Sequence, residues 1–203
     1  MDREHYDGGT RNWANYYWFY YKWHIIIGLV MIIGIVICTV QCANKVDPDY
    51  YMVLFSDTFV SDEDLGGVTD KFAEFAIDKN EDGEIRIQGV NCTYPKSDTS
   101  GLKSTANQKG VLQVANDDTP LWLLDEKGIM IYYSSQEIDI FAKWEKFDEY
   151  DSHAINIKNT TIYKDIKEFL PENEEYYLFC KKTANDNPNC NEYGLKILEQ
   201  IVE

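Results

Sequence analysis

Between Lys22 and Lys45 the chain contains no Asp, Glu, Lys or Arg, and the middle of that interval reads HIIIGLVMIIGIVICTV. At a rise of 1.5 Å per residue, such a run crosses a hydrocarbon core of about 30 Å. It predicts a transmembrane helix over residues 23–43, with the lipid bilayer as its partner. A cleaved signal peptide is the competing reading. However, the segment ahead of the run is long and aromatic instead of short and basic, and no A-x-A site follows it. A lipoprotein anchor fits no better, because Cys42 follows Thr39, Val40 and Gln41 instead of small residues.

Before the span stands NWANYYWFYYKWH, eight aromatics in thirteen residues. Trp and Tyr favour the headgroup region, since each ring is apolar at one end and hydrogen-bonds at the other. Residues 1–22 are therefore read as a cytoplasmic and interfacial lead-in to the helix, in preference to a docking surface. Arg3, Arg11 and Lys22 precede the span and Lys45 alone follows closely. The richer side stays cytoplasmic, so the C-terminal domain is expected outside the cell.

Of 19 basic and 35 acidic residues, three of each lie in residues 1–44, so the whole net charge of −16 belongs to residues 45–203. That field repels phosphate backbones, which argues against a nucleic-acid partner. Residues 44–203 have the length of one domain with one core, and no repeat or low-complexity block divides them. Beyond the span lie Cys92, Cys180 and Cys190, an odd number for a disulfide framework. Cys180 and Cys190 flank the polar stretch KKTANDNPN. They either close a short disulfide loop or leave Cys180 as a buried thiol on a strand.

YYMVLF at 50–55 is a continuous β-forming apolar run, the pattern of a strand buried on both faces. Ser61 then caps a helix whose first turn holds Asp62, Glu63 and Asp64 and whose stripe is Leu65, Val68, Phe72 and Phe75. Gly66 and Gly67 weaken it. EIRIQGV alternates as a second strand, which makes a βαβ unit. TPLWLLDE at 119–126 reads as a third strand. GIMIYYS at 128–134 reads as a fourth strand or an extended lead into a helix near EIDIFAKWEKF. EYYLFCKKT is a further strand, and NEYGLKILEQIVE is a closing helix with Tyr193, Ile197 and Ile201 on one stripe. The fold class is α/β, a mainly parallel sheet with flanking helices behind one transmembrane helix.

Within AIDKNEDGEIRIQGV, Asp78, Asn80, Asp82 and Glu84 fall at positions one, three, five and seven of an EF-hand-like calcium loop. The twelfth position, where a bidentate Glu is needed, is Gly89, and the ninth is Arg86. The alternative is a turn in which Asp and Asn bond their own backbone and Gly83 takes a positive φ. That turn is the preferred reading, with calcium as the only cofactor candidate. Outside the membrane region His153 is the one histidine of residues 44–203, beside Asp151 and Ser152, and neighbours in sequence cannot form a triad by themselves. No G-x-S-x-G, H-E-x-x-H, P-loop or paired CxxC occurs, so no enzyme activity is expected. Trp122, Asp125, Trp144 and Asp148 are read as core and surface in preference to a cation pocket.

The order YYKWHIIIG, DYYMVLFSDTFVSDE, DKNEDGEIRI and DDTPLWLLDE resembles that of uncharacterised single-span membrane-anchored proteins of clostridia-like Gram-positive bacteria. The outer domain of that group is similar to one lobe of an extracellular solute-binding protein of ABC transporters. The resemblance implies a non-catalytic, periplasmic-binding-like lobe that captures a small ligand at the carboxyl ends of its strands. Here that rim is Ser56, Asp57 and Thr58 after the first strand, and Asp125 and Glu126, with Lys127, after the third. The other implied role is an envelope protein–protein interaction or structural domain that has lost the cleft.

Overall fold

A computed structural model describes residues 10–43, 47–97, 99, 101–116, 118–134, 140–182 and 191–202, and the chain divides into two compact units, Met1–Asp47 and Pro48–Glu203. Among the described residues the first unit holds one helix, α1 (Thr10–Ala43), 34 residues and therefore about 50 Å long. Its segment Trp18–Gln41 is long and apolar enough to cross a membrane. Trp18, Phe19, Tyr20, Tyr21 and Trp23 stand exposed at its start.

The second unit is an α/β sandwich. In chain order it runs β1 (Tyr50–Ser56), α2 (Asp62–Ala73), β2 (Ile87–Thr93), α3 (Leu102–Val114), β3 (Leu121–Leu124), α4 (Glu126–Tyr132), β4 (Ala154–Asn156), α5 (Tyr163–Ile166), β5 (Tyr177–Cys180) and α6 (Glu192–Ile201). The sheet order is β2-β1-β3-β5-β4. β1 pairs parallel with β2, Tyr50 opposite Ile87, and parallel with β3, Met52 opposite Leu121. β5 runs antiparallel to both β3 and β4. The sheet is therefore mixed, and the expected parallel arrangement covers only its β2-β1-β3 part.

Alternation within the strands divides the core into two layers. Met52, Leu54, Leu121, Leu123 and Leu178 face one side, against helical residues such as Leu65, Phe72 and Ile197. Val53, Phe55, Trp122, Leu124 and Phe179 face the other, against Ala106, Ile129 and Tyr132. A strand covered on both faces must be apolar at every position, which is why β1 and β3 read as unbroken runs.

α2 begins as expected, with the Ser61 side chain accepting from the Asp64 N–H at 3.0 Å. Its weakening glycine has a packing reason, since a Cβ on Gly67 would stand 2.5 Å from the Phe169 ring. β2 starts at Ile87, three residues later than the alternation suggested, and Ile85 is exposed.

GIMIYYS is not a strand. Asp125 follows β3 and caps α4, its Oδ1 accepting from the Gly128 N–H at 2.7 Å, so Gly128 to Tyr132 continue as helix. The helix expected near EIDIFAKWEKF does not form over residues 140–147; residues 135–139 lie outside the described residues. Phe141 there bridges antiparallel to Lys181 instead.

Cys180 lies on β5, fully buried and disulfide-bonded, while Cys38 and Cys92 are free. The expected partner, Cys190, lies outside the described residues. Closing so short a loop stabilises the fold by roughly 2–3 kcal/mol, so reduction should lower the Tm by about 5–10 °C. Non-reducing peptide mapping should recover Cys180 linked to Cys190, and any other linkage would overturn the short-loop assignment.

Candidate functional site

α2 leaves β1 on one face of the sheet and α3 leaves β2 on the other, so the carboxyl ends of β1 and β3 meet where the chain reverses its winding. Ligand crevices of open α/β sheets form at such switch points. The structure brings the predicted rim residues together there. The Asp57 N–H donates to Asp125 Oδ2 at 2.7 Å, and the Asp125 N–H donates to the Phe55 carbonyl at 3.2 Å.

The rim residues nonetheless differ in what they offer. Ser56 is fully buried and Asp125 is 2% exposed. Ser56 Oγ accepts from the Thr58 N–H at 3.0 Å and from the Tyr176 hydroxyl at 3.2 Å. Both Asp125 oxygens are taken by backbone N–H groups, so this carboxylate joins the end of β1 to the start of α4. Burial pushes the Asp125 carboxyl above its ordinary value, against the pull of the Gly128 and Asp57 N–H groups.

Three residues that sequence reasoning missed complete the rim. Lys96 Nζ lies 2.8 Å from Glu174 Oε1 and 3.4 Å from Asp57 Oδ1, and the Thr58 hydroxyl donates to the same Glu174 oxygen at 2.9 Å. Lys96 holds the Glu174 carboxyl below its ordinary value of 4.5, first through its hydrogen bond. Tyr176, 2% exposed, anchors the segment before β5 to Ser56. Lys96 and Glu174 are 78 positions apart, and only the antiparallel return of β5 brings them together. No local spacing signals that pair. Glu126 is exposed in the first turn of α4.

A carboxyl whose folded-state value is depressed contributes stability above its unfolded value and loses it as pH falls through the folded one. The Tm difference between wild type and Glu174→Gln should therefore be present at about pH 7 and shrink as the pH falls below about 4. A difference that persists in acid would show that the Lys96 contact does not act through charge.

Next to this rim, and sharing Glu174 and Tyr176 with it, is a cleft of about 360 Å³. Ile157, Leu170 and Tyr176 are buried residues of its lining, and Tyr163, Lys167, Glu168 and Glu172 also line it.

The loop at 78–84 is held by its own side chains. Asp78 accepts from the Glu81 and Gly83 N–H groups at 2.7 and 2.8 Å, Asn80 from Asp82 at 2.9 Å, and Asp82 from Glu84 at 2.9 Å. Glu81 and Gly83 take φ of 58° and 87°. Glu84 pairs with Arg86. Among the described residues, no three His, Cys, Asp or Glu side chains group as metal ligands do.

The missed residue here is Asp49, 3% exposed, whose carboxylate accepts from the N–H groups of Lys79 (2.8 Å), Asn80 (3.1 Å) and Arg86 (2.8 Å). An acid immediately before a fully apolar strand was the signal for it.

Trp122 and Trp144 pack on opposite core layers and Asp148 is exposed, so no cation pocket joins them to Asp125. Asp151 pairs with Lys143, while His153 Nδ1 sits 2.8 Å from the Tyr150 carbonyl and 3.1 Å from the Tyr133 hydroxyl. No family model, curated protein or solved structure matches this chain.

Proposed function

We propose that the chain is a membrane-anchored, extracytoplasmic, non-catalytic domain that captures a small ligand, in the manner of one lobe of a solute-binding protein. The observation that carries this reading is the cleft of about 360 Å³ adjoining the switch point of the sheet, a volume within the range of small-molecule sites. The parallel β2-β1-β3 core supports the lobe resemblance. The exposed apolar segment Trp18–Gln41 supports a single-pass anchor. The disulfide at Cys180 supports an oxidising location, hence a cytoplasmic N-terminus with the α/β unit outside the cell.

A specific observation favours the second reading, an envelope interaction or structural domain. Lys96 spans Asp57 and Glu174, so the strand-end rim is closed by the protein's own ion pairs. A thermal-shift screen of the full chain in nanodiscs against amino acids, peptides, sugars and polyamines separates the two, because a ligand that binds only the native state raises the Tm. A shift supports capture, and a flat screen moves the assignment to the interaction domain. Calcium belongs in the same screen. The turn reading of Asp78, Asn80, Asp82 and Glu84 expects no shift at millimolar calcium, and a rise would make that loop a metal site.

A further inference from the structure

Resting on the small-ligand reading, we infer that the ligand is a zwitterion, an amino acid or short peptide with an apolar side chain, and that it binds in the cleft between residues 157 and 176 instead of on the strand-end rim.

The cleft is built by a single stretch of chain. A 3-10 turn (Ile157–Asn159), α5 and a second 3-10 turn (Lys167–Phe169) wrap from β4 towards β5. The stretch is anchored at both ends. The Ile157 N–H donates to the Tyr176 carbonyl at 3.0 Å, and the Tyr176 hydroxyl donates to Ser56 Oγ. A ligand entering here need not order the walls first, which removes a cost of binding.

The charges of the lining decide the chemistry. Lys158 is committed to Glu175, and Glu174 to Lys96 and Thr58. Lys167, Glu168 and Glu172 also line the cleft, are exposed, and form no ion pair with one another among the described residues. A cation and two carboxylates thus border one small cleft without pairing with one another. An anion meets the two Glu side chains and a cation meets Lys167, so a ligand of single charge leaves one sign of the lining without a counter-charge. A molecule carrying both an ammonium and a carboxylate satisfies both ends. The buried aliphatic residues Ile157 and Leu170, with the Tyr163 and Tyr176 rings, offer apolar contact to its side chain. The volume limits the guest to roughly a single amino acid or a dipeptide.

The test is isothermal titration of the full chain in nanodiscs with leucine and with glycyl-leucine, which distinguish a free amino acid from a peptide. N-acetyl-leucine and leucine amide serve as probes that each lack one charge. Saturable binding is expected for leucine or glycyl-leucine. Removing either charge of the probe, or introducing Lys167→Glu or Glu172→Lys, should weaken it at least about tenfold. Both substituted side chains are exposed, so each variant should keep the wild-type Tm. Failure of both probes to saturate by about 10 mM, or binding indifferent to capping and to both substitutions, overturns the inference. A thermal shift from some other ligand, unaffected by the two substitutions, would overturn it and leave capture standing. A flat screen would remove both.

Discussion

Trp122→Ala should destabilise the α/β unit by about 4 kcal/mol, the range for emptying a fully buried Trp site, and lower its Tm by roughly 8–16 °C. Trp122 is 0% exposed at the centre of β3. Its ring meets Tyr132 and Phe141 edge-on, with centroids 5.3 and 5.6 Å apart, and these contacts add to the area buried. Its indole N–H donates to the Thr119 carbonyl at 3.2 Å. Alanine leaves that carbonyl without the indole donor and opens a cavity beside the Tyr132 and Phe141 rings. Trp122→Phe keeps most of the ring volume and loses the indole bond with a small part of the packing, so it should cost no more than about half as much. Chemical denaturation of both variants measures the difference. An alanine effect below about 1 kcal/mol would mean that this core layer is not packed around Trp122.

The same residue shows what was legible in the sequence and what was not. The apolar runs at β1, β3 and β5 gave away their burial, because a strand covered on both faces has no polar position to spare. Period says nothing about direction, however, and β5 runs antiparallel to β3 after a long excursion of the chain beyond α4. GIMIYY misled for a related reason. Its apolar residues suit a strand or a buried helix equally, and the decision fell to one upstream side chain, Asp125, whose capping bond starts the helix. β4 has three residues and α3 buries only Ala106 and Gly110, so neither leaves a periodic trace long enough to read.

The site was legible to the same depth. Ser56, Asp57 and Asp125 could be placed at the strand ends because strand ends follow from strand order. The partners that close the rim, Lys96 and Glu174, come from segments whose approach is set by tertiary packing alone. The cleft beside them is built from short helical turns at 157–169 that carry no pattern of their own.

Asp49→Ala should cost about 3 kcal/mol, because one carboxylate there serves three backbone donors, and bonds to a charged acceptor are each worth more than neutral ones. Lys79 and Asn80 belong to the acidic loop and Arg86 to the approach to β2, so the side chain joins both ends of the loop to the residue before β1. Its own N–H donates to the Arg86 carbonyl at 3.0 Å, a bond the substitution leaves in place. Solvent reaches the loop, and water can replace part of what is lost, which keeps the estimate below the sum of three fully buried bonds. A fall in Tm of roughly 6–12 °C follows. Asp49→Asn retains one acceptor oxygen and should lose less than alanine does. Hydrogen exchange locates the effect. The amides of Lys79, Asn80 and Arg86 should lose protection, whereas those of Glu81 and Gly83, held by Asp78, should change least. Uniform loss across the loop would instead mean that Asp78 cannot hold its turn without Asp49, and that the loop's shape is imposed by its anchor and not by its own sequence.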